Sequence, residues 1–187
     1  MERDIASVLI DADRIRARVA ELAQQIARDT PFDPGVGDDG SLVLIPVMTG
    51  AMVLTSDLVR QMPFKLRLEL VAVSSYPGKS MASKGAKIAT ELPADIRGKH
   101  VVVIDDILDS GHTISVLRDL IASHEPASVR VCVLLEKQRA DGPAVASAEY
   151  VGFRIPDEFV VGYGLDYDGY YRNLPEIVTL KPEAIEA

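Results

Sequence analysis

Three aspartates, Asp105, Asp106 and Asp109, lie within the stretch 101–114, where their carboxylates could bind a sugar or a metal ion. The first two follow four apolar, mostly β-branched residues, which predict a central parallel strand covered on both faces. Open α/β sheets bind their ligands at the carboxyl ends of such strands. The third aspartate precedes a Ser-Gly-His-Thr turn and a helical pattern, and the free N–H groups of a helix start favour an anion. The stretch therefore indicates a site for a phosphorylated sugar.

The alternative for the same stretch is an ordinary helix cap after a buried strand, with carboxylates that are merely solvated. That alternative would bury like charges at the strand end without partners, which is energetically costly. A purely structural role for the chain would likewise leave the three aspartates unexplained. The pattern favours a phosphate or sugar site.

The composition is typical of a globular protein, with 48% hydrophobic and 26% charged residues in a chain of 187. This length fits one domain with a substantial core. The net charge of −8 argues against a general nucleic-acid-binding surface. The single cysteine, Cys132, lies in an apolar run, so no disulfide framework is expected. The sequence shows neither a signal peptide nor an apolar segment of membrane length, and we expect a cytoplasmic protein without a membrane partner.

Strand patterns alternate with helix patterns along the chain, which predicts an α/β fold with a parallel core. Asp11 is the expected N-cap of an amphipathic helix, because apolar residues recur at positions 15, 19, 22 and 26. Further helices are expected near 51–61 and 114–124, and loops at 31–40 and 74–85. The second loop is either a surface loop or a mobile lid. The predicted strands cover residues 7–10, 42–47, 66–73, 87–91, 101–104, 129–135 and 177–180, and the segments 151–153 and 159–161 flank Pro156-Asp157-Glu158.

The stretch 101–114 resembles the signature of type I phosphoribosyltransferases, an apolar strand with two acids, two apolar residues and then Asp-Ser/Thr-Gly-x-Thr. The similarity covers most of the chain and has the same order of segments. Residues 44–50 resemble the pyrophosphate loop, and 74–76 look like the start of the catalytic lid. Residues 134–137 and 151–167 are similar to the purine-recognition segments of the hypoxanthine-guanine branch.

The resemblance implies the type I phosphoribosyltransferase fold, a central twisted parallel sheet flanked by helices with a small hood subdomain. We expect one domain over residues 1–187, with a core of roughly 40–150 and a hood from the N-terminal and C-terminal segments. Members of the family transfer the ribose phosphate of phosphoribosyl diphosphate (PRPP) to N9 of a purine and release pyrophosphate. The implied partners are PRPP and a 6-oxopurine base, the implied cofactor is Mg²⁺, and a homodimer or homotetramer is expected.

The resemblance also assigns the PRPP site. Asp105 and Asp106 would accept hydrogen bonds from the ribose hydroxyls and help to place Mg²⁺, which prefers hard oxygen ligands. Asp109 would contact PRPP and take the N7 proton of the purine as general base. The sugar 5′-phosphate would bind the backbone amides and hydroxyls of the turn formed by Ser110, Gly111, His112 and Thr113.

On the purine side, Lys137 would donate to O6 and so select 6-oxopurines. Phe159 would stack on the base, Val160 would offer backbone groups to its edge, and Asp166 would support a metal directly or through water. Without the resemblance, Lys137 and Arg172 would be interpreted as surface cations and Phe159 as a core residue.

Pyrophosphate would bind Thr49 and Gly50 of its loop, Ser75 and Tyr76 of the lid, and Arg172. This chain has Thr49 where the family often has Lys or Arg, so a cationic contribution is missing while the backbone amides remain. The family loop often contains a cis peptide bond that does not involve proline, a feature that sequence does not reveal.

Two other functions fit the same residues. One is a phosphoribosyltransferase that prefers xanthine, and the other is a PRPP-binding regulator that has lost catalysis. Nucleic-acid-binding regulators would need a basic face or an added DNA-binding domain. The net charge of −8 and the presence of Asp109 and Lys137 weigh against the regulator.

Overall fold

The protein has two β-sheets and four α-helices in a computed structural model that describes residues 1–30, 41–74, 87–88, 95–140 and 142–185. A short 3₁₀ turn, Glu2–Asp4, precedes the first strand. In chain order the elements are β1 (Ile5–Ile10), α1 (Ala12–Asp29), β2 (Leu42–Met48), α2 (Met52–Val59), β3 (Arg67–Leu68), β4 (Val71–Ser74), β5 (Lys87–Ile88), β6 (His100–Leu108), α3 (His112–Ala122), β7 (Ser128–Gln138), β8 (Tyr150–Pro156), β9 (Val160–Val161), β10 (Ile177–Leu180) and α4 (Pro182–Ile185).

The larger sheet has the strand order β5-β4-β2-β6-β7-β8, and β3 also pairs with β2. Neighbouring strands are parallel except for β5, which runs antiparallel to β4. β6 lies at the centre, where Ile104 pairs with Pro46 on one side and with Cys132 on the other. The predicted α/β architecture with a central parallel sheet flanked by helices is confirmed.

Alternate residues of the central strands pack on opposite faces of this sheet, as the two-residue period of a strand requires. Val102 and Ile104 of β6 belong to the cluster that includes the buried faces of α1 and α2. Val101 and Val103 belong to a second cluster with the buried residues of α3. Covering both faces makes the central strands apolar throughout, which explains the uninterrupted Val and Ile run in the sequence.

Helix α1 begins where its sequence predicts. The Asp11 carboxylate accepts a hydrogen bond from the backbone N–H of Arg14 at 2.9 Å, so Asp11 is the N-cap. The apolar residues of the predicted stripe, together with Ala23, are the buried face of this helix. They are Ile15, Val19, Leu22 and Ile26.

The smaller sheet brings the two ends of the chain together, with β10 between β1 and β9 in antiparallel pairing. Val178 pairs with Val8 on one side and with Val161 on the other. Val161, Val178 and Leu180 form a small apolar cluster of their own. None of the helices in the described ranges has the length and apolar character needed to cross a bilayer.

The predicted continuous strand 66–73 is wrong, because two short strands, β3 and β4, occupy this region. Both pair with β2, but Arg67 lies opposite Val43 and Val71 lies opposite Val47. Between them the Glu69 N–H donates to the Leu44 carbonyl at 3.0 Å. Apolar alternation predicts extended backbone but does not reveal where pairing is interrupted. The loop predicted at 31–40 lies outside the described residues, as does 75–85 of the loop predicted at 74–85.

Candidate active site

A cleft of about 430 Å³ opens where β2 and β6 separate. β2 pairs with β6 up to Pro46 and Ile104, whereas β7 continues to pair with β6 up to Glu136 and Leu108. The last residues of β6 therefore have a paired strand on one side and the cleft on the other. The strand predicted to end at Ile104 is longer than expected, and Asp105 and Asp106 belong to it.

Most of the residues assigned to PRPP, to pyrophosphate and to the metal line this cleft. They are Thr49, Gly50, Asp105, Asp106, Asp109, Ser110, Gly111, Thr113, Asp166 and Arg172. His112 is exposed at the first position of α3 and is not among the lining residues. Ser75 and Tyr76 lie outside the described residues. Segments far apart in the sequence thus meet at one edge of the sheet.

The neighbouring carboxylates of Asp105 and Asp106 are enclosed. Asp105 is 7% exposed, and one of its oxygens accepts a hydrogen bond from the Asp106 N–H at 3.0 Å. Asp106 in turn accepts from the N–H of Ile107 at 2.9 Å. Burial, and then the Asp106 charge, raise the pKa of Asp105 well above its usual range, and burial raises the pKa of Asp106. A cation beside the pair would offset this cost.

The loop after β2 comes very close to this pair. A Cβ atom placed on Gly50 would lie 1.9 Å from Oδ2 of Asp106, so only glycine fits without a shift. The peptide bond between Met48 and Thr49 is cis. The loop that the sequence assigns to pyrophosphate therefore lies against Asp106, one of the two carboxylates assigned to ribose and metal.

The turn after β6 has the geometry of an anion site at the start of α3. Gly111 has φ +81° and is the N-cap of this eleven-residue helix. The N–H of Val145 donates to the Ser110 carbonyl at 2.9 Å, and a Cβ on Gly111 would lie 2.8 Å from the backbone nitrogen of Ala146. The connection between β7 and β8 thus braces the turn from behind. Ser110, Gly111 and Thr113 line the cleft, at a helix start whose first N–H groups have no partner within the helix.

Asp109, at the rim of the cleft, is paired with two cations. Its Oδ1 lies 2.5 Å from Nη1 of Arg139, and its Oδ2 lies 3.4 Å from Nζ of Lys137. Lys137 is 14% exposed and also lies 3.5 Å from the Asp157 carboxylate. Lys137 is therefore not an ordinary surface lysine. Sequence reasoning missed Arg139, although its position two residues after Lys137 was an available signal, since an extended strand directs such residues to one face.

Asp166 and Arg172 close the opposite wall of the cleft. The Asp166 carboxylate lies 2.6 Å from Nη2 of Arg172 and accepts from the Gly169 N–H at 2.8 Å. Arg172 also donates to the Gly164 carbonyl at 2.6 Å. A Cβ on Gly164 would lie 2.3 Å from the Gly50 carbonyl oxygen, so the C-terminal segment packs directly against the loop after β2.

The carboxylates assigned to metal do not form a preformed cage. Across the described ranges, no three or more His, Cys, Asp or Glu side chains are grouped so that they could hold a metal ion. Asp105 and Asp106 supply adjacent hard oxygen donors, whereas Asp166 is engaged by Arg172. Mg²⁺ commonly takes one or two carboxylates and completes its shell with substrate phosphates and water. Two adjacent acidic residues fit that pattern.

Three of the residues assigned to the purine side, Lys137, Phe159 and Val160, lie outside this cleft, whereas Asp166 lines it. Phe159 is 47% exposed, and its ring meets Tyr167 edge to face with centroids 5.7 Å apart. It is therefore not a core residue. Val160 is buried in β9, and Lys137 lines a neighbouring cavity together with Arg139. The structure connects this side with the cleft through Asp109, which lines the cleft and contacts Lys137.

Comparisons with known proteins agree with these observations. Residues 9–168 match the family described as "Phosphoribosyl transferase domain". The chain is 45% identical over 184 residues to a hypoxanthine-guanine phosphoribosyltransferase of Mycobacterium tuberculosis, covering 98% of this chain and 90% of the relative. It is 39% identical to a hypoxanthine phosphoribosyltransferase of Haemophilus influenzae, covering 93% and 94%. The crystal structure of a hypoxanthine phosphoribosyltransferase from Staphylococcus aureus has a TM-score of 0.86 at 36% identity, covering 98% and 95%.

Proposed function

The chain belongs to the phosphoribosyl transferase family, and from this premise we propose that it is a purine-salvage enzyme. The reaction moves the phosphoribosyl group of PRPP to N9 of hypoxanthine or guanine, giving IMP or GMP and pyrophosphate. One observation carries the proposal. A phosphate-sized turn, a buried carboxylate pair and the Asp109–Lys137 pair lie next to one another at the carboxyl end of β6. The near full-length similarity to enzymes named for this reaction supports it.

The turn 110–113 would bind the 5′-phosphate of PRPP. Its support is the N-terminus of α3, the Ser110 and Thr113 side chains and the left-handed backbone at Gly111. His112 would contribute its backbone rather than its exposed ring. Asp105 and Asp106 would accept hydrogen bonds from the ribose hydroxyls. Holding both ends of the sugar orients its anomeric carbon toward the base, which lowers the entropic part of the barrier.

Mg²⁺ would be held by Asp105 and Asp106, because their enclosed oxygens suit a hard cation. Asp166 would act through water, since its two oxygens already accept from Arg172 and Gly169. When bound, the ion would supply positive charge against the leaving pyrophosphate. Pyrophosphate itself would contact the backbone of Thr49 and Gly50, the Arg172 guanidinium, and Ser75 and Tyr76 of the lid.

The base would enter between Asp109 and the segment that carries Phe159. Asp109 would accept the N7 proton as the bond to N9 forms, and Lys137 would donate to O6. The exposed Phe159 ring would stack on the purine, and the Val160 backbone would meet its edge. In the free protein Lys137 lies against Asp109, so base binding requires Lys137 to move from the carboxylate toward O6.

The chain would act as one domain, in which the sheet of β1, β10 and β9 forms the hood over the base. We further propose a homodimer or homotetramer. We also propose a cytoplasmic location, which agrees with a chain whose single cysteine, Cys132, is buried. Burial raises the pKa of this thiol to about 12.

One assay tests the function. The protein is incubated with PRPP, Mg²⁺ and each of hypoxanthine, guanine, xanthine and adenine, and nucleotide and pyrophosphate are measured. We expect IMP and GMP and little AMP. A preference for xanthine would replace the proposed bases while keeping the reaction. PRPP binding without turnover on any base would support the regulator and overturn the enzyme.

A further inference from the structure

The two oxygens of the Asp109 carboxylate have different cationic partners. Oδ1 is held by Arg139 at 2.5 Å, and Oδ2 by Lys137 at 3.4 Å. The shorter contact belongs to the residue that the proposed reaction does not use. This inference rests on the proposed function, in which Lys137 leaves Asp109 to reach O6. Once Lys137 has moved, the Asp109 carboxylate needs another partner to keep its position.

We propose that Arg139 is a positioning residue for the general base. It holds Oδ1 of Asp109 throughout the reaction, so that Oδ2 is directed to N7 of the purine when Lys137 leaves it. Arg139 does not touch the substrate in this arrangement. It acts on the reaction through the orientation of Asp109.

Arg139 is well placed to hold another side chain still. It follows β7 directly, and the last residues of β7 are paired with β8 up to Gln138 and Pro156, while Glu136 also pairs with Leu108 of β6. The arginine side chain is 23% exposed, which limits the competition from water. Surface ion pairs contribute little because mobile side chains lose entropy on pairing. An arginine anchored at the end of a central strand loses less.

Asp109 needs such a partner because of where it lies. It comes after the end of β6 and its side chain is 46% exposed, unlike the enclosed carboxylates of Asp105 and Asp106. The general base of this reaction must lie within hydrogen-bond reach of its proton, and a small misplacement costs rate. The structure meets that requirement with an ion pair rather than with burial.

Lys137 contacts two carboxylates, those of Asp109 and Asp157, and Arg139 is the second cation on Asp109. Without Arg139, both carboxylates depend on Lys137, which would then be held away from O6. Arg139 therefore serves a second purpose, since it leaves Lys137 available to the base.

A double-mutant cycle tests this inference with wild type, Arg139→Gln, Asp109→Asn and the double variant. The measurements are kcat with hypoxanthine and PRPP, the KM of PRPP and the thermal midpoint. We expect Arg139→Gln to lower kcat about 10-fold with the KM of PRPP unchanged. In the Asp109→Asn background the same change should have no further effect on kcat, because the group that Arg139 positions is gone.

Two further variants complete the test. Arg139→Lys retains the charge and should recover most of the lost kcat. If Arg139→Gln does not fold, Arg139→Met, which also removes the charge and keeps an unbranched side chain, takes its place in the cycle. Arg97→Gln is the matched control, because Arg97 makes an exposed ion pair with Glu125 at 2.6 Å beside the start of β6. Its kcat should equal that of wild type.

The outcomes separate this inference from the proposed function. Unchanged kcat in Arg139→Gln, or an equal loss in the Asp109→Asn background, would overturn the positioning role while wild type remains active. Absence of turnover in wild type with every base would overturn the proposed function instead.

Discussion

The Asp105–Asp106 pair and Asp109 lie only a few residues apart on the chain, but their carboxylates have opposite environments. Asp105 and Asp106 lie inside β6, where burial raises the pKa of both side chains. Asp109 lies beyond the end of the strand, is half-exposed and is paired with Lys137 and Arg139. The first region is costly to ionise, and the second already has its counter-charges.

The difference shows how one strand end can serve two steps of a reaction. An enclosed carboxylate pair gains most from a cation, and Mg²⁺ arriving with PRPP would supply one. A carboxylate already paired with two cations has no such need, but it must exchange a partner when the base binds. On the proposed function, Mg²⁺ would bring positive charge to Asp105 and Asp106, whereas the purine base would draw Lys137 away from Asp109.

The largest expected effect concerns the open region. Asp109→Asn should lower kcat by roughly 10²–10⁴-fold, because the amide cannot accept the N7 proton in the transition state. Steady-state kinetics with hypoxanthine and saturating PRPP measures this loss. Asp13→Asn, at a highly exposed position of α1, is the matched control and should retain full kcat. Near-normal kcat in Asp109→Asn would remove the base role from this residue.

The next effect concerns the cation that must move. Lys137→Met should lower kcat/KM for hypoxanthine about 10- to 100-fold, as expected for the loss of a charged hydrogen bond. The ratio of kcat/KM values for hypoxanthine and adenine should fall as well, since adenine has no O6. The exposed Lys181, changed to Met, provides the comparison. An unchanged ratio would show that Lys137 does not select the base.

A smaller effect is expected where the loop after β2 meets the enclosed region. Gly50→Ala would place a Cβ 1.9 Å from Oδ2 of Asp106, and relieving this overlap should cost about 1–3 kcal/mol of stability. The KM of PRPP should rise, because the loop and the carboxylate are displaced together. Gly98→Ala is the control for KM: its φ of +70° makes alanine costly in stability there as well, but its Cβ would meet no atom within 4 Å and Gly98 does not line the cleft, so the KM of PRPP should stay unchanged. Chemical denaturation and PRPP titration measure the two quantities, and an equal KM in both variants would contradict the prediction.

The smallest effect tests the enclosed pair through stability. An acid whose pKa is raised by folding stabilises the protein below its unfolded pKa of about 3.9, and this contribution is lost as pH rises through the folded pKa. Asp105→Asn removes the carboxyl group that causes this loss of stability. The thermal midpoint of the variant should therefore exceed that of wild type by about 2–4 °C at pH 7.5. The difference should vanish toward pH 4.

The control for this last experiment is the same substitution in the other acidic region, at Asp109. Asp109→Asn removes a carboxylate that cations already stabilise, so it should bring no gain in thermal midpoint at pH 7.5. Scanning calorimetry of the free protein measures both variants. A gain of the same size at Asp109 would show that the two regions do not differ as described.

Much of this arrangement was predictable because it depends on local pattern. The run 101–104 predicted the central strand, Asp11 predicted the start of α1, and the turn 110–113 predicted the start of α3. The pairing of strands with their neighbours was harder to predict. The strand expected at 66–73 is divided into β3 and β4, and β6 continues past Ile104, because strand length depends on which neighbours remain alongside.

The sequence by itself determined the order of strands and helices, the acidic residues near the end of β6 and the resemblance to phosphoribosyltransferases. These follow from periodicity and residue type, which are properties of neighbouring positions. The tertiary structure decided which carboxylates are enclosed and which are paired. Enclosure of the carboxylate pair depends on β7, which pairs with β6 at Asp105, and on the loop at Gly50 beside Asp106. Pairing of Asp109 depends on Arg139 at the end of another strand. Solvation and charge contact are properties of groups brought together from distant parts of the chain, and no local pattern contains them.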